Sequence, residues 1–214
     1  MEQNNKVEVI NPFGPSIARV KMPNDLIESL NNYVDEIISN EEKIEKLNHG
    51  NNLAGSVTQE FKLEEKFIIS SGYQKFLSES VFDWLKVSGY KDVNNFSLIS
   101  SWIVRQFENE YNPIHWHGGH VSGVGYLKVP SSLGRSPQPK SNKNNNNGKI
   151  ELIHGSRQFL SNSSFVISPE VGYFYFFPHY MMHTVYPFNG TSEERRSISF
   201  NAKIDEKTFY VYGN

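Results

Sequence analysis

Three of the seven histidines in this 214-residue chain fall within six positions, in the run His115-Trp116-His117-Gly118-Gly119-His120. On an extended strand, His115 and His117 project to one side and Trp116 to the other. Two imidazoles on one face, two residues apart, can chelate one metal ion. Gly118 and Gly119 let the backbone bend just after them. A third ligand must then come from elsewhere in the fold, and His183, at the start of a later apolar run, is the best placed. Three such ligands with open positions suit zinc as well as iron, and spacing does not choose between them. The ordinary reading of a strand histidine is a polar side chain with no ligand. The same-face pair beside two glycines is what weighs against it here.

The remaining histidines carry less. His120 is an alternative ligand if the glycine pair folds tightly. His179 precedes His183 by four positions, but Pro178 and the flanking strand argue against a helical pair, which leaves a polar residue near the site mouth. His154 reads as a turn residue, His49 as a solvent-exposed loop residue, and Trp102 and Trp116 as core.

The elements that must position these residues change character along the chain. Residues 24–39 place Leu26, Ile27, Leu30, Tyr33, Val34, Ile37 and Ile38 on one helical stripe, with Asp25 and Glu28 spaced as a capping box. A charged stretch runs on to Gly50, and residues 51–63 read as loop or short extended structure. A second amphipathic helix is expected at about 70–87, stopped by Gly89. From Phe96 onward the chain breaks into short runs with strand character: 96–107, 114–129, 149–153, 164–168, 172–177, 182–187, 195–204 and 208–212. This pattern predicts a mainly β fold with N-terminal helices (α+β), of the sandwich, barrel or jelly-roll type. One domain over 1–214 is expected, with a helical support region at 1–95 and a β core at 96–214. Residues 131–148 have no apolar periodicity and form either a lid or a disordered insertion. Their Arg135, Lys140 and Lys143, with Lys149, make a local basic cluster. The run 208–212 could pair at an edge and support a homodimer; a monomer is equally compatible.

Composition narrows the classes. The formal net charge is −2, which argues against a polybasic nucleic-acid or membrane binder. There are no cysteines, so disulfides, zinc ribbons and thiol nucleophiles are excluded, and a metal must be held by His, Asp or Glu. The N-terminal run carries an early acid and no long apolar stretch, and no segment is apolar enough to span a bilayer, so a cytoplasmic protein is expected.

Four segments in order carry a family resemblance: HWHGGHVSGVGYLKVP from His115, Gly148 to Leu152, FPHYMMHTVYP from Phe177, and RRSISFN from Arg195. Together they resemble the iron(II)/2-oxoglutarate-dependent dioxygenases, and most of all the bacterial and phage branch with an HxH segment and a late R-x-S-x-x-F-N. The resemblance covers roughly 96–204. It implies a double-stranded β-helix, a cupin-like jelly-roll barrel, and an oxygenase using Fe(II), 2-oxoglutarate and O2 to hydroxylate a C–H bond. It implies that His115, His117 and His183 hold the metal. It further implies that Arg195 and Ser197, with Tyr126, hold the far carboxylate of the co-substrate. Arg195 and Ser197 share one strand face, while Arg196, Ile198 and Phe200 share the other. Arg196 is the competing anchor by one register slip. Arg195 is favoured because Ile198 and Phe200 then pack together under the helices.

This sequence departs from the family at His117, where a carboxylate is usual. Two other readings therefore stand beside the hydroxylase. One is a three-histidine cupin-type metal enzyme that does not use 2-oxoglutarate. The other is a non-enzymatic jelly-roll binding module. The substrate expected is small or peptidic: an amino acid, a residue of a peptide or protein, or another small metabolite.

Overall fold

The structure is a computed structural model and describes residues 7–10, 14–50, 55–89, 93–136 and 145–210. In chain order, two strands, β1 (Glu8–Ile10) and β2 (Ile17–Lys21), precede the helices α1 (Asn24–Ile38) and α2 (Glu41–Leu47). Then come β3 (Gln59–Lys62), α3 (Glu65–Ser70), α4 (Tyr73–Val87), β4 (Phe96–Gln106), β5 (Asn112–His115) and β6 (Val121–Lys128). The chain continues with β7 (Ile150–Ile153), β8 (Ser164–Ile167), β9 (Tyr173–Pro178), β10 (Met182–Val185), β11 (Arg195–Ile204) and a short α5 (Glu206–Phe209). The strands form two antiparallel sheets, seven-stranded in the order β1-β2-β9-β6-β11-β4-β3 and four-stranded in the order β5-β10-β7-β8. Two facing sheets with these crossings, backed by helices, make the expected jelly roll.

The helices cover the outer face of the larger sheet because their apolar stripes match it. Leu26, Leu30 and Val34 of α1 and Phe76, Leu77, Val81 and Trp84 of α4 join Phe174, Phe176, Ile198 and Phe200 in one buried cluster. Gly125 makes room for this aromatic layer, since a Cβ there would stand 2.4 Å from Phe174 Cδ2. A second cluster fills the space between the sheets, with Ile17, Val124, Tyr126, Ile150, Leu152 and Phe177 among its members.

Several expected boundaries move. The N-terminal region also supplies strands: β2 pairs with β9 and β3 with β4. These runs are too short to show a clear period. The helix expected at about 70–87 forms as α4, starting at Tyr73 after Gly72 takes a left-handed φ of 77°, and α3 ahead of it was not expected. The Asp25–Glu28 capping box does not form; Pro23 precedes α1, and Asp25 accepts a hydrogen bond from the Leu26 N–H instead. The strand expected at 114–129 divides into β5 and β6 around the bend at 116–120. No strand forms at 208–210, where α5 ends; residues 211 and 212 lie outside the described residues.

Residues 137–144 of the long loop, with Lys140 and Lys143, also lie outside the described residues. Its two ends are held together by asparagines. The Nδ2 of buried Asn147 donates to the carbonyls of Leu133 (2.9 Å) and Arg135 (3.2 Å), and Asn145 donates to Gly134 (2.9 Å). No helix among the described residues is long and apolar enough to cross a membrane.

Candidate active site

The smaller sheet sets two of the histidines side by side. In the β5–β10 ladder His115 lies directly opposite His183. His117 follows β5 at the start of the bend. Three backbone-directed bonds hold it: its N–H donates to the His179 carbonyl (3.1 Å), the His179 ring Nδ1 donates back to the His117 carbonyl (3.0 Å), and the His179 N–H donates to the His120 carbonyl (3.1 Å). Gly119 completes the turn with a φ of 96°, and a Cβ there would meet the Ala202 carbonyl oxygen at 2.8 Å.

The result is a compact triad. The available ligand atoms of His115, His117 and His183 all lie within 4.8 Å of one another. His117 Nε2 and His183 Nε2 are 3.1 Å apart. The Nδ1–H of His115 donates to the Pro113 carbonyl (2.7 Å) and that of His183 to the Met181 carbonyl (2.9 Å). These bonds fix the tautomers of His115 and His183 and direct their Nε2 lone pairs away from the backbone, available to a metal. Burial lowers all three ring pKa values. His117 is pulled down to about 3, with the neighbouring histidines adding to the effect, and His183 to about 4, with His115 adding. Neutral imidazole is the form that binds metal. Trp102 stands edge-on to His117, with ring centroids 5.5 Å apart.

His120 is not part of the triad. Its Nδ1 accepts the Ile204 N–H (3.1 Å), and its ring stacks on Phe209 at 3.9 Å. His179 acts as a brace for the bend. His49, expected in solvent, is half-buried near Trp102. Trp102 is core as expected, but Trp116 is 66 % exposed, because the bend turns it outward.

One cavity is lined by the three histidines and also by Gln106, Arg195 and Ser197. Arg195 is 1 % exposed, and burial lowers its pKa. Its Nη1 donates to Gln106 Oε1 (3.0 Å), which ladder pairing sets opposite it. Its Nε and Nη2, and the hydroxyl of Tyr126, have no hydrogen-bond partner. The guanidinium carbon lies 5.0 Å from the Tyr126 ring centre. Buried donors without acceptors are costly, and two free N–H groups of one guanidinium fit a carboxylate. The donor set thus fits the far end of 2-oxoglutarate, and the triad fits a divalent iron. Arg196 points the other way, to Asn31, Asp35 and Glu194.

Two features were out of reach of the sequence. Gln106 has no motif and is found only through the register that sets it against Arg195. The bracing role of His179 depends on the meeting of two distant turns.

Two antiparallel sheets thus bring a three-histidine cluster and a buried arginine to one cavity. Residues 100–201 match the family described as putative 2OG-Fe(II) oxygenase. Among solved structures it is similar to a Pseudomonas putida prolyl-4-hydroxylase, at 14 % identity over 86 % of this chain and 91 % of that one, with a TM-score of 0.58. It is similar to a viral collagen prolyl hydroxylase from Paramecium bursaria Chlorella virus-1 in complex with 2OG, at 14 % identity over 93 % and 96 %, with a TM-score of 0.54. It is also similar to the non-haem α-ketoglutarate-dependent epimerase SnoN of nogalamycin biosynthesis, at 12 % identity over 86 % and 76 %, with a TM-score of 0.54. No curated protein sequence matches the chain.

Proposed function

We propose that the protein is an Fe(II)- and 2-oxoglutarate-dependent oxygenase that hydroxylates a C–H bond of a small-molecule or peptidic substrate. The observation that carries this reading is the pair of unpartnered Arg195 nitrogens in the cavity that the three histidines also line. A three-histidine enzyme that ignores 2-oxoglutarate has no use for a buried, half-satisfied guanidinium there.

In this reading His115, His117 and His183 would hold the iron through their neutral imidazoles. Arg195 binds the far carboxylate of 2-oxoglutarate through Nε and Nη2, while Gln106 fixes the guanidinium plane. Ser197 and Tyr126 add hydroxyl donors beside it. Trp102, Val104 and Phe177 keep the cavity wall apolar, which strengthens these charged contacts by excluding water. When bound, iron and 2-oxoglutarate supply the O2-activating redox chemistry. The net charge of −2 supports a small or peptidic substrate over a nucleic acid. The test is conversion of 2-oxoglutarate to succinate. Iron-dependent turnover that is lost in Arg195→Ala supports the reading; iron binding without any turnover or 2-oxoglutarate binding overturns it.

A further inference from the structure

Unpartnered buried atoms mark Glu60 as they mark Arg195 and Tyr126. Glu60 on β3 is 1 % exposed, and neither carboxyl oxygen has a hydrogen-bond partner. Its place in the ladder is informative. Glu60 lies opposite Val104, Val104 opposite Ser197, and Ser197 opposite Tyr126. Directly paired residues point to the same side of a sheet. Glu60 therefore faces the barrel interior in the same cross-strand row as the proposed co-substrate anchors. With strands about 4.8 Å apart, its backbone is two spacings, about 10 Å, from that of Ser197. Trp102, two residues along β4 on the same face, touches His117.

The residues that line the cavity include no acid. Three neutral imidazoles leave a bound dication its full two charges, and Arg195 adds a third. Doubly charged 2-oxoglutarate removes two, so one positive charge stays buried. A carboxylate is missing from this balance, and the only buried acid among the described residues is Glu60.

We propose that Glu60 is the counter-charge of the three-histidine centre, a positioning residue that is a neutral acid in the empty site and a carboxylate in the loaded one. It acts through space, since it does not line the cavity. This inference rests on the oxygenase reading of the same site. On loading, the Glu60 O–H bond breaks, the proton goes to solvent, and no electrons move. The groups around Glu60 agree with a neutral resting form. Glu110 repels a second negative charge, and burial together with Glu110 pushes Glu60 up to about 7. The His49 N–H donates to the Glu60 carbonyl (2.8 Å), Val104 opposite it carries no charge, and Arg105 is turned to Gln59 and Glu194. Lys62, along the same strand, is exposed.

The test is infrared difference spectroscopy of the full chain, with Zn(II) as a redox-inert probe and 2-oxoglutarate added second. Wild type at neutral pH should show a protonated-carboxyl stretch that Glu60→Gln lacks and that disappears on loading; Glu60→Asp should keep this behaviour. Zinc titration in buffers of differing ionisation enthalpy should release more protons from wild type than from Glu60→Gln. Zinc should also bind Glu60→Gln more weakly, by roughly tenfold. Because the Glu60 carboxyl makes no hydrogen bond, Glu60→Gln should melt no lower than wild type, so a fold defect is not the expected cause. A carboxyl band that persists in loaded wild type, or equal proton release and affinity in the two proteins, overturns this inference alone. Failure of zinc to bind wild type overturns the metal site and this inference with it. A band that is lost only when a cationic amine such as lysine is added would make Glu60 a substrate contact and also overturns it.

Discussion

Arg195 and Arg196 are neighbours in the chain, yet their guanidinium groups serve opposite layers of the fold. Arg195 enters the space between the sheets, where one nitrogen donates to Gln106 and two have no acceptor beside the Tyr126 ring. Arg196 enters the layer between sheet and helix, where it meets Asn31, Asp35 and Glu194. Both are fully buried, but only Arg196 has its charge balanced within the protein. The strand period of two makes one a structural ion and leaves the other available to a ligand.

Substitution should separate the two. Arg196→Leu removes the buried cation shared by Asp35 and Glu194, leaving them only Lys128 and Arg105, and should cost about 3 kcal/mol in urea unfolding, with 2-oxoglutarate affinity nearly unchanged. Arg195→Leu should leave stability near wild type or raise it, and should weaken 2-oxoglutarate binding by roughly a hundredfold. Equal effects on both readouts from the two variants would refute the division.

The 3.1 Å between His117 Nε2 and His183 Nε2 suits two right-angled ligands on one ion with bonds of about 2.1 Å. It also makes the metal-free protein sensitive to acid. Each ring starts from 6.5 and is lowered in the fold, to about 3 for His117 and about 4 for His183. The unfolded chain therefore binds more protons between those values, so stability is full above pH 6.5 and falls as the pH drops towards 4. Melting temperatures in chelator should hold from pH 7.5 to about 6.5 and fall below it. His117→Phe should flatten that fall; an unchanged slope would mean that another group carries it.

The bend separates ligands from supports. His117→Asp, which restores the carboxylate that the resemblance leads one to expect, should still bind iron or zinc with one-to-one stoichiometry, and His183→Ala should not. His120→Phe should keep full metal content, because its ring stacks on Phe209 and its Nδ1 meets only the Ile204 N–H. Metal analysis of the three purified variants decides this, and loss of metal from His120→Phe alone would move the ligand assignment.

Much of this was legible in the sequence, for reasons specific to each element. The β11 strand read clearly because Ile198 and Phe200 alternate with Arg195 and Ser197, and that period also chose between the two arginines. The triad read through the His115–His117 spacing. The strands β1, β2 and β3 did not read, because three to five residues carry too little alternation and their place is set by pairing with distant β9 and β4. The run at 208–210 had strand composition, but Asp205, which accepts the Asn94 and Asn95 N–H groups, ends β11 and starts a helical turn. Trp116 looked like core by residue type and is exposed because the glycine bend turns it out. Gln106 and Glu60 gave no signal, since their significance lies entirely in what faces them.

The bend itself can be tested. A Cβ at Gly119 meets the Ala202 carbonyl at 2.8 Å in a left-handed conformation. Gly119→Ala should therefore cost about 1–3 kcal/mol and weaken metal binding by displacing His117. Wild-type stability and affinity in this variant would show that the bend does not position the ligand.

The central claim is that the three histidines and Arg195 together hold iron and 2-oxoglutarate in one cavity. The most direct measurement is visible absorption after anaerobic addition of Fe(II) and then 2-oxoglutarate. The account predicts a weak charge-transfer band on the second addition, from bidentate chelation at the iron, that His183→Ala abolishes and Arg195→Ala weakens. Iron that binds stoichiometrically with no band at saturating 2-oxoglutarate would contradict it.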